Sequence, residues 1–189
     1  MIYNSIRLLI VSIAFCVLIF PTQPVSAQQN NYTVLQAGGI LGLQASSGDA
    51  LSGYQLQFIF GKNFNDQTFL GAGLGTHVYR GGTEITPGQN SQRRVNTLPI
   101  FVDFRQKVAA VSPLGYMGVM ANAGYAPSLG GNYYRGFSGK AGLTYSQMLL
   151  NRNDLVFTLA YGYQQFGSRY VHSAFNQHEV HLTVGLFVY

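Results

Sequence analysis

Bulky apolar residues recur at every second position through most of this chain. In NTLPIFVDFRQKV (96–108), Leu98, Ile100, Val102 and Phe104 alternate with Pro99, Phe101, Asp103 and Arg105. Side chains of a strand point alternately to opposite faces, so this period of two predicts extended structure with one greasy side. The same rhythm predicts eight strands, at about 32–43, 53–62, 68–80, 95–107, 115–126, 135–147, 154–166 and 178–189. The connecting segments carry turn chemistry: SSGD, NFND, GGTEITPGQNSQ, VSP, SLGGN, LNRND and GSRYVHSAFN. No segment after residue 27 combines a helical period with helix caps, and none is a long uninterrupted apolar run.

Sorting each strand by phase gives two sets. The apolar set runs Leu35, Leu41, Leu43; Tyr54, Leu56, Phe58, Phe60; Leu70, Leu74, Val78; the residues named above; Val119, Tyr125; Phe137, Leu143, Tyr145; Leu155, Phe157, Leu159, Tyr161, Tyr163; Val180, Leu182, Val184, Leu186 and Val188, and it contains no charge. The opposite set holds Gln36, Gln55, Gln57, His77, Asp103, Arg105, Asn122, Lys140, Thr144, Thr158, Gln164, Glu179 and His181, with most of the strand glycines.

Alternation does not say which face points inward, and composition decides it. Only 9% of the chain is charged, against ~25% in an ordinary soluble domain. A soluble ligand-binding barrel with its apolar face inside would need far more Lys and Glu outside. A membrane barrel inverts the arrangement, and a Lys or Arg on its lipid face costs ~2–4 kcal/mol at the midplane. The uncharged apolar face fits that penalty. The fold expected is an all-β, eight-stranded, antiparallel up-and-down transmembrane β-barrel. With both ends of the barrel in the periplasm, the longer connections face outside, and Tyr54, Tyr125, Phe137, Tyr161 and Tyr163 form an outer aromatic girdle above Phe60, Phe104 and Tyr145. Pro99 removes a ladder donor, so it is expected at a bulge or at the outer end of regular pairing.

The first residues read differently. Arg7, an apolar run from Leu8 to Phe20 and Val25-Ser26-Ala27 make a secretory signal cut before Gln28. The run is shorter than the ~20 residues of a membrane-spanning helix. Cys16 lies inside it and not at its end, which argues against a lipoprotein. The domains expected are a signal peptide at 1–27 and a barrel at 28–189, with no cysteine left for disulfides or thiolate metal sites.

TLPIFVDFRQKV, SPLGYMGVMANAGYA and GLTYSQMLLNRNDLVFTLAYGYQQ together resemble the small OmpA/OmpX-like outer-membrane barrels of Gram-negative bacteria, in particular the porin-family barrel domains of Bacteroidota type. The resemblance covers about residues 30–189. It implies location in the bacterial cell outer membrane, contact with its lipid and lipopolysaccharide, and recognition by the barrel-assembly machinery through a terminal aromatic, here Tyr189. Val188, Leu186, Val184 and Leu182 are one position out of phase with that signal as the family usually shows it.

Candidate sites follow from the two faces. Asp103, Arg105, Lys140, Glu179 and His181 are expected to meet as a polar network in a lumen only wide enough for side chains. Buried charges must be paired to be tolerated. Arg93 and Arg94 in the longest loop (81–94), with Arg169 and Tyr170 in the last outer loop, suit contact with phosphate or with an envelope protein partner. His172, Ser173 and HEVH (178–181) suggest catalysis at first sight. However, the spacing is not that of the helical zinc motif, and nothing in the sequence activates the serine. No catalytic, cofactor or metal residue is assigned. The dispersed basic residues give no nucleic-acid motif. The role expected is structural, surface-interaction or adhesion through outer loops; the alternative is a small-solute channel, and a lipid-modifying enzyme comes third.

Overall fold

The structure, a computed structural model, describes residues 31–46, 50–86, 89–129, 135–149, 153–167 and 175–188, with 82–86 and 89–93 as backbone alone. The strands are β1 (Asn31–Ala45), β2 (Ser52–Phe64), β3 (Thr68–Thr86), β4 (Gln89–Thr97), β5 (Ile100–Ser112), β6 (Gly115–Ala126), β7 (Gly136–Met148), β8 (Asn153–Phe166) and β9 (Phe175–Val188). All pairings are antiparallel, and the β1–β9 and β2–β3 pairings close the sheet into a barrel. β4 and β5 share one stave: both pair with β3, β4 from His77↔Thr97 outward and β5 from Leu74↔Ile100 down to Thr68↔Gln106. The barrel therefore has eight staves, as the alternation predicts.

Pro99 explains the divided stave. The ladder breaks at Leu98-Pro99, where the chain cannot offer a proline N–H. Leu98 N donates instead to Pro127 O at 2.8 Å, and Pro99 O accepts from Gly75 N at 3.0 Å. Segment 81–94, expected as a loop, is corrected: β3 and β4 extend into it and pair as far as Thr86↔Gln89, with a register shift between Arg80 and Thr83 where Gly81 adopts φ 134°. Ile85 is its only bulky apolar residue, so the period-two signal faded before the strands did. β9 likewise starts at Phe175, three residues earlier than expected.

Both ends of the barrel chain lie at one rim, since Thr33 pairs with Val188. The turns 65–67 and 113–114 lie at this terminal end, and β1, β3, β6 and β8 end at the opposite, loop end. The 65–67 turn uses Asn65 and Asp66 at φ 54° and 58°. These residue types tolerate the left-handed region, and Asn63 Nδ2 donates to Asp66 Oδ1 at 2.7 Å.

The apolar face points outward. Leu35, Leu41, Leu56, Phe58, Leu74, Ile100, Val102, Leu143, Leu159, Leu182 and Val184 are all exposed, Leu182 to 62%. Val78 is the correction: it is only 8% exposed, set between Tyr54 and Asn96. Of the expected girdles, Tyr54, Tyr125, Phe137, Tyr161, Phe60 and Phe104 are exposed, while Tyr145 and Tyr163 are half-buried.

Candidate functional site

The lumen is built in three layers. At the terminal end, Tyr32, Val34, Ile59, Phe69, Phe101, Val156 and Phe187 pack into an apolar floor. Tyr32 stacks on Phe187 at 5.0 Å, and Phe69 meets both rings edge-on at 5.4 and 5.0 Å. At the loop end, Ile40, Leu51, Tyr79, Val95, Phe166 and Phe175 form a roof, with Phe166 stacked on Phe175 at 4.7 Å. Such aromatic pairs add ~0.5–1.5 kcal/mol each beyond area burial. Sequence reasoning missed both layers. These residues share the inward phase of the polar set, so the inner face is mixed, and interior glycines make room for it. A Cβ on Gly73 would collide with the Phe101 ring, and one on Gly162 with the His181 ring.

Between floor and roof lies a polar layer whose hydrogen bonds run in one direction. Arg105 donates through Nη2 to Gln36 Oε1 at 2.9 Å, and Gln36 Nε2 donates to Gln57 Oε1 at 2.6 Å. Gln57 Nε2 can only donate, so the His77 Nε2 it meets at 2.9 Å is the acceptor. His77 Nδ1 then carries the proton toward Tyr79 Oη at 3.2 Å, and Tyr79 donates to Glu179 Oε1 at 3.3 Å. A second branch starts at Lys140 Nζ, which donates to Gln55 Oε1 at 3.1 Å and Gln57 Oε1 at 2.9 Å. Gln55 Nε2 meets His181 Nδ1 at 2.9 Å, and His181 Nε2 donates to Glu179 Oε1 at 2.8 Å. Gln177 Nε2 also donates to Glu179, at 3.2 Å, and to Leu51 O, tying the network to the roof. Both branches lead from a cation to the Glu179 carboxylate.

Among the described residues, charge is balanced within the lumen. Arg105 Nε lies 2.8 Å from Asp103 Oδ2, and Tyr32 Oη donates to the same oxygen at 3.5 Å. Lys107 lies 3.5 Å from Asp154 near the floor, with its ammonium 5.5 Å from the Phe69 ring centroid. Thus Arg105, Lys140 and Lys107 face Asp103, Glu179 and Asp154. A cavity of about 20 Å³, lined by Phe69, Arg105, Lys107, Asp154 and Phe187 among others, opens beside the floor. That is room for about one water.

All five residues expected in the lumen are brought into this layer: Asp103, Arg105, Lys140, Glu179 and His181 are each under 10% exposed. The sequence also placed Gln36, Gln55, Gln57 and His77 on this face without assigning them a part. Asp154, Gln177, Tyr79 and Tyr32 were missed; the same phase as Thr158, Glu179 and His77 marks the first three. Arg94 is exposed and lies on β4, not in a loop, which corrects its expected setting; Arg93 is on β4 too, with its side chain outside the described atoms. Arg169, Tyr170, His172, Ser173 and Tyr189 lie outside the described residues, as does the expected signal peptide. His178 faces outward, its Nδ1 2.7 Å from Tyr161 Oη, on the opposite face from Glu179 and His181.

A closed ring of eight staves, apolar outside and packed with a neutral polar layer inside, defines the fold class of the small outer-membrane β-barrels. Solved structures of that class are similar to this chain. Neisserial surface protein A (NspA) matches with a TM-score of 0.54 and 19% identity over 84% of this chain and 96% of that one. Outer membrane protein OprG from Pseudomonas aeruginosa matches with a TM-score of 0.52 and 11% identity over 85% and 96%. No protein-family model and no curated protein matches the chain.

Proposed function

We propose that this chain is a non-enzymatic barrel of the bacterial outer membrane, its short turns in the periplasm and its longer connections outside. Its role on this reading is structural and adhesive, exerted at the outer rim toward lipopolysaccharide or an envelope protein partner. The observation that carries it is the filled lumen: an aromatic floor, a charge-balanced network and an aromatic roof occupy the route a solute would take. The exposed apolar face supports the membrane location. Against catalysis, Glu179 and His181 are each about 1% exposed and spend their hydrogen bonds on Gln55, Tyr79 and Gln177.

Reconstitution of the folded chain in planar bilayers tests this. Silent membranes at all voltages are expected. Stable conductance steps that disappear in Asp103→Ala/Arg105→Ala would replace this reading with a small-solute channel.

A further inference from the structure

Outward-facing residues of β2, β3 and β4 form rows of changing chemistry toward the loop end. Phe58 and Leu74 are register partners and both exposed, 45% and 55%. Tyr54 faces Val78, which faces Asn96. One step further out, Arg80 and Arg94 are direct partners, both exposed. At ~3.4 Å per residue, the arginines stand ~7 Å above the Tyr54 row.

Directly opposed like charges in a sheet repel, with Cβ atoms ~5 Å apart. Among the described residues every ion-paired carboxylate lies in the lumen, and no described acid pairs with Arg80 or Arg94. An anion shared by the two guanidinium forks would turn this repulsion into attraction, and phosphate matches the fork geometry. The position selects the source. The row directly below the pair is buried Val78 and polar Asn96, but on the neighbouring stave β2 the exposed side chains Tyr54, Leu56 and Phe58 run in one apolar column, so a lipid lying on that column would place its acyl chains against it and its headgroup at the arginines.

We infer that Arg80 and Arg94 form a binding site for the phosphate of an outer-leaflet lipid headgroup. The inference rests on the outer-membrane reading and adds to it a location and a ligand chemistry. Arg135, exposed at the loop end of β7 two staves away, is not part of the pair.

The test uses the full folded chain in detergent and native mass spectrometry with diphosphorylated lipid A as probe. Arg80→Gln/Arg94→Gln should weaken binding by on the order of tenfold or more. Lys62→Gln, which removes an exposed charge near the opposite rim, should leave it unchanged. Lipid A stripped of phosphate should bind wild type and the double variant alike, and inorganic phosphate at equal concentration should not compete. Equal binding of the diphosphorylated lipid to wild type and double variant overturns the site; displacement by equimolar inorganic phosphate overturns the lipid assignment. Heat-modifiable gel migration and vesicle insertion are read on the same samples. Wild type that neither shifts on heating nor inserts contradicts the outer-membrane reading itself, whereas normal insertion with unchanged lipid binding contradicts the arginine site alone.

Discussion

Removing the carboxylate of Asp103 is the most informative single perturbation of the lumen. Asp103 is fully buried and Arg105 is 4% exposed. Arg105 directs Nε and Nη2 at the two carboxylate oxygens, 2.8 and 3.4 Å away, and keeps only the Gln36 contact when they are gone. At that separation the attraction is ~5–6 kcal/mol for an effective dielectric near 20. Stranding one member of a buried pair typically costs ~3–5 kcal/mol. Asp103→Ala should therefore remove about that much from a folding free energy that is usually ~5–15 kcal/mol. Asp103→Leu/Arg105→Met removes both charges and refills the space, so it should return to within ~1 kcal/mol of wild type or above it. The assay is urea unfolding from lipid vesicles, read as loss of the fast-migrating unheated band. Two results would refute the reasoning: an Asp103→Ala cost below ~1 kcal/mol, or a double variant as unstable as the sum of its single changes. Either would mean that the pair is solvated and the lumen wet.

Three further perturbations test other parts of the account. Leu182→Lys puts a charge at mid-strand on the exposed apolar face, opposite Leu159 and Gly39; if that face meets lipid, the same urea assay should show a loss of ~2–4 kcal/mol, and no loss would say this face is wet. Gly162→Leu drives a side chain into His181 and Glu179, so overpacking should cost ~1–3 kcal/mol, measured as a lower urea midpoint at unchanged slope. Glu179→Gln keeps the shape and one oxygen for Tyr79 and His181, but it turns the atom facing Gln177 Nε2 into a second donor and leaves Lys140 without its balancing charge; a loss of ~1–3 kcal/mol, partly restored by Lys140→Met in the same background, is the outcome expected.

The alternation exposed the staves, their faces and the inward charges because each is a local, period-two signal. Leu98, Ile100, Val102 and Phe104 could be told from Asp103 and Arg105 by position alone. What escaped was non-local. Tyr32, Phe69 and Phe187 are apolar residues on the inner phase, and only closure of the ring shows that three distant strands bring them into one floor. Asp154 sits two residues into β8, and its partner Lys107 becomes evident only when the staves are placed side by side. The β3–β4 extension was hidden because residues 81–94 carry only one bulky apolar residue, Ile85, and so give the alternation nothing to mark. Conversely, Pro99 was legible as an interruption, since a missing donor acts wherever a ladder requires one.

The central claim is an inverted barrel: apolar side chains toward lipid, a dry packed lumen within. Nitroxide labels placed one at a time on cysteines at positions 181 through 186 of β9, in vesicles, test it most directly. The account predicts a period-two profile, with high oxygen accessibility at Leu182, Val184 and Leu186. Collisions with oxygen and with a polar relaxation agent should both be low at His181, Thr183 and Gly185. A profile with no alternation, or with the polar agent reaching positions 181 and 183, would contradict it.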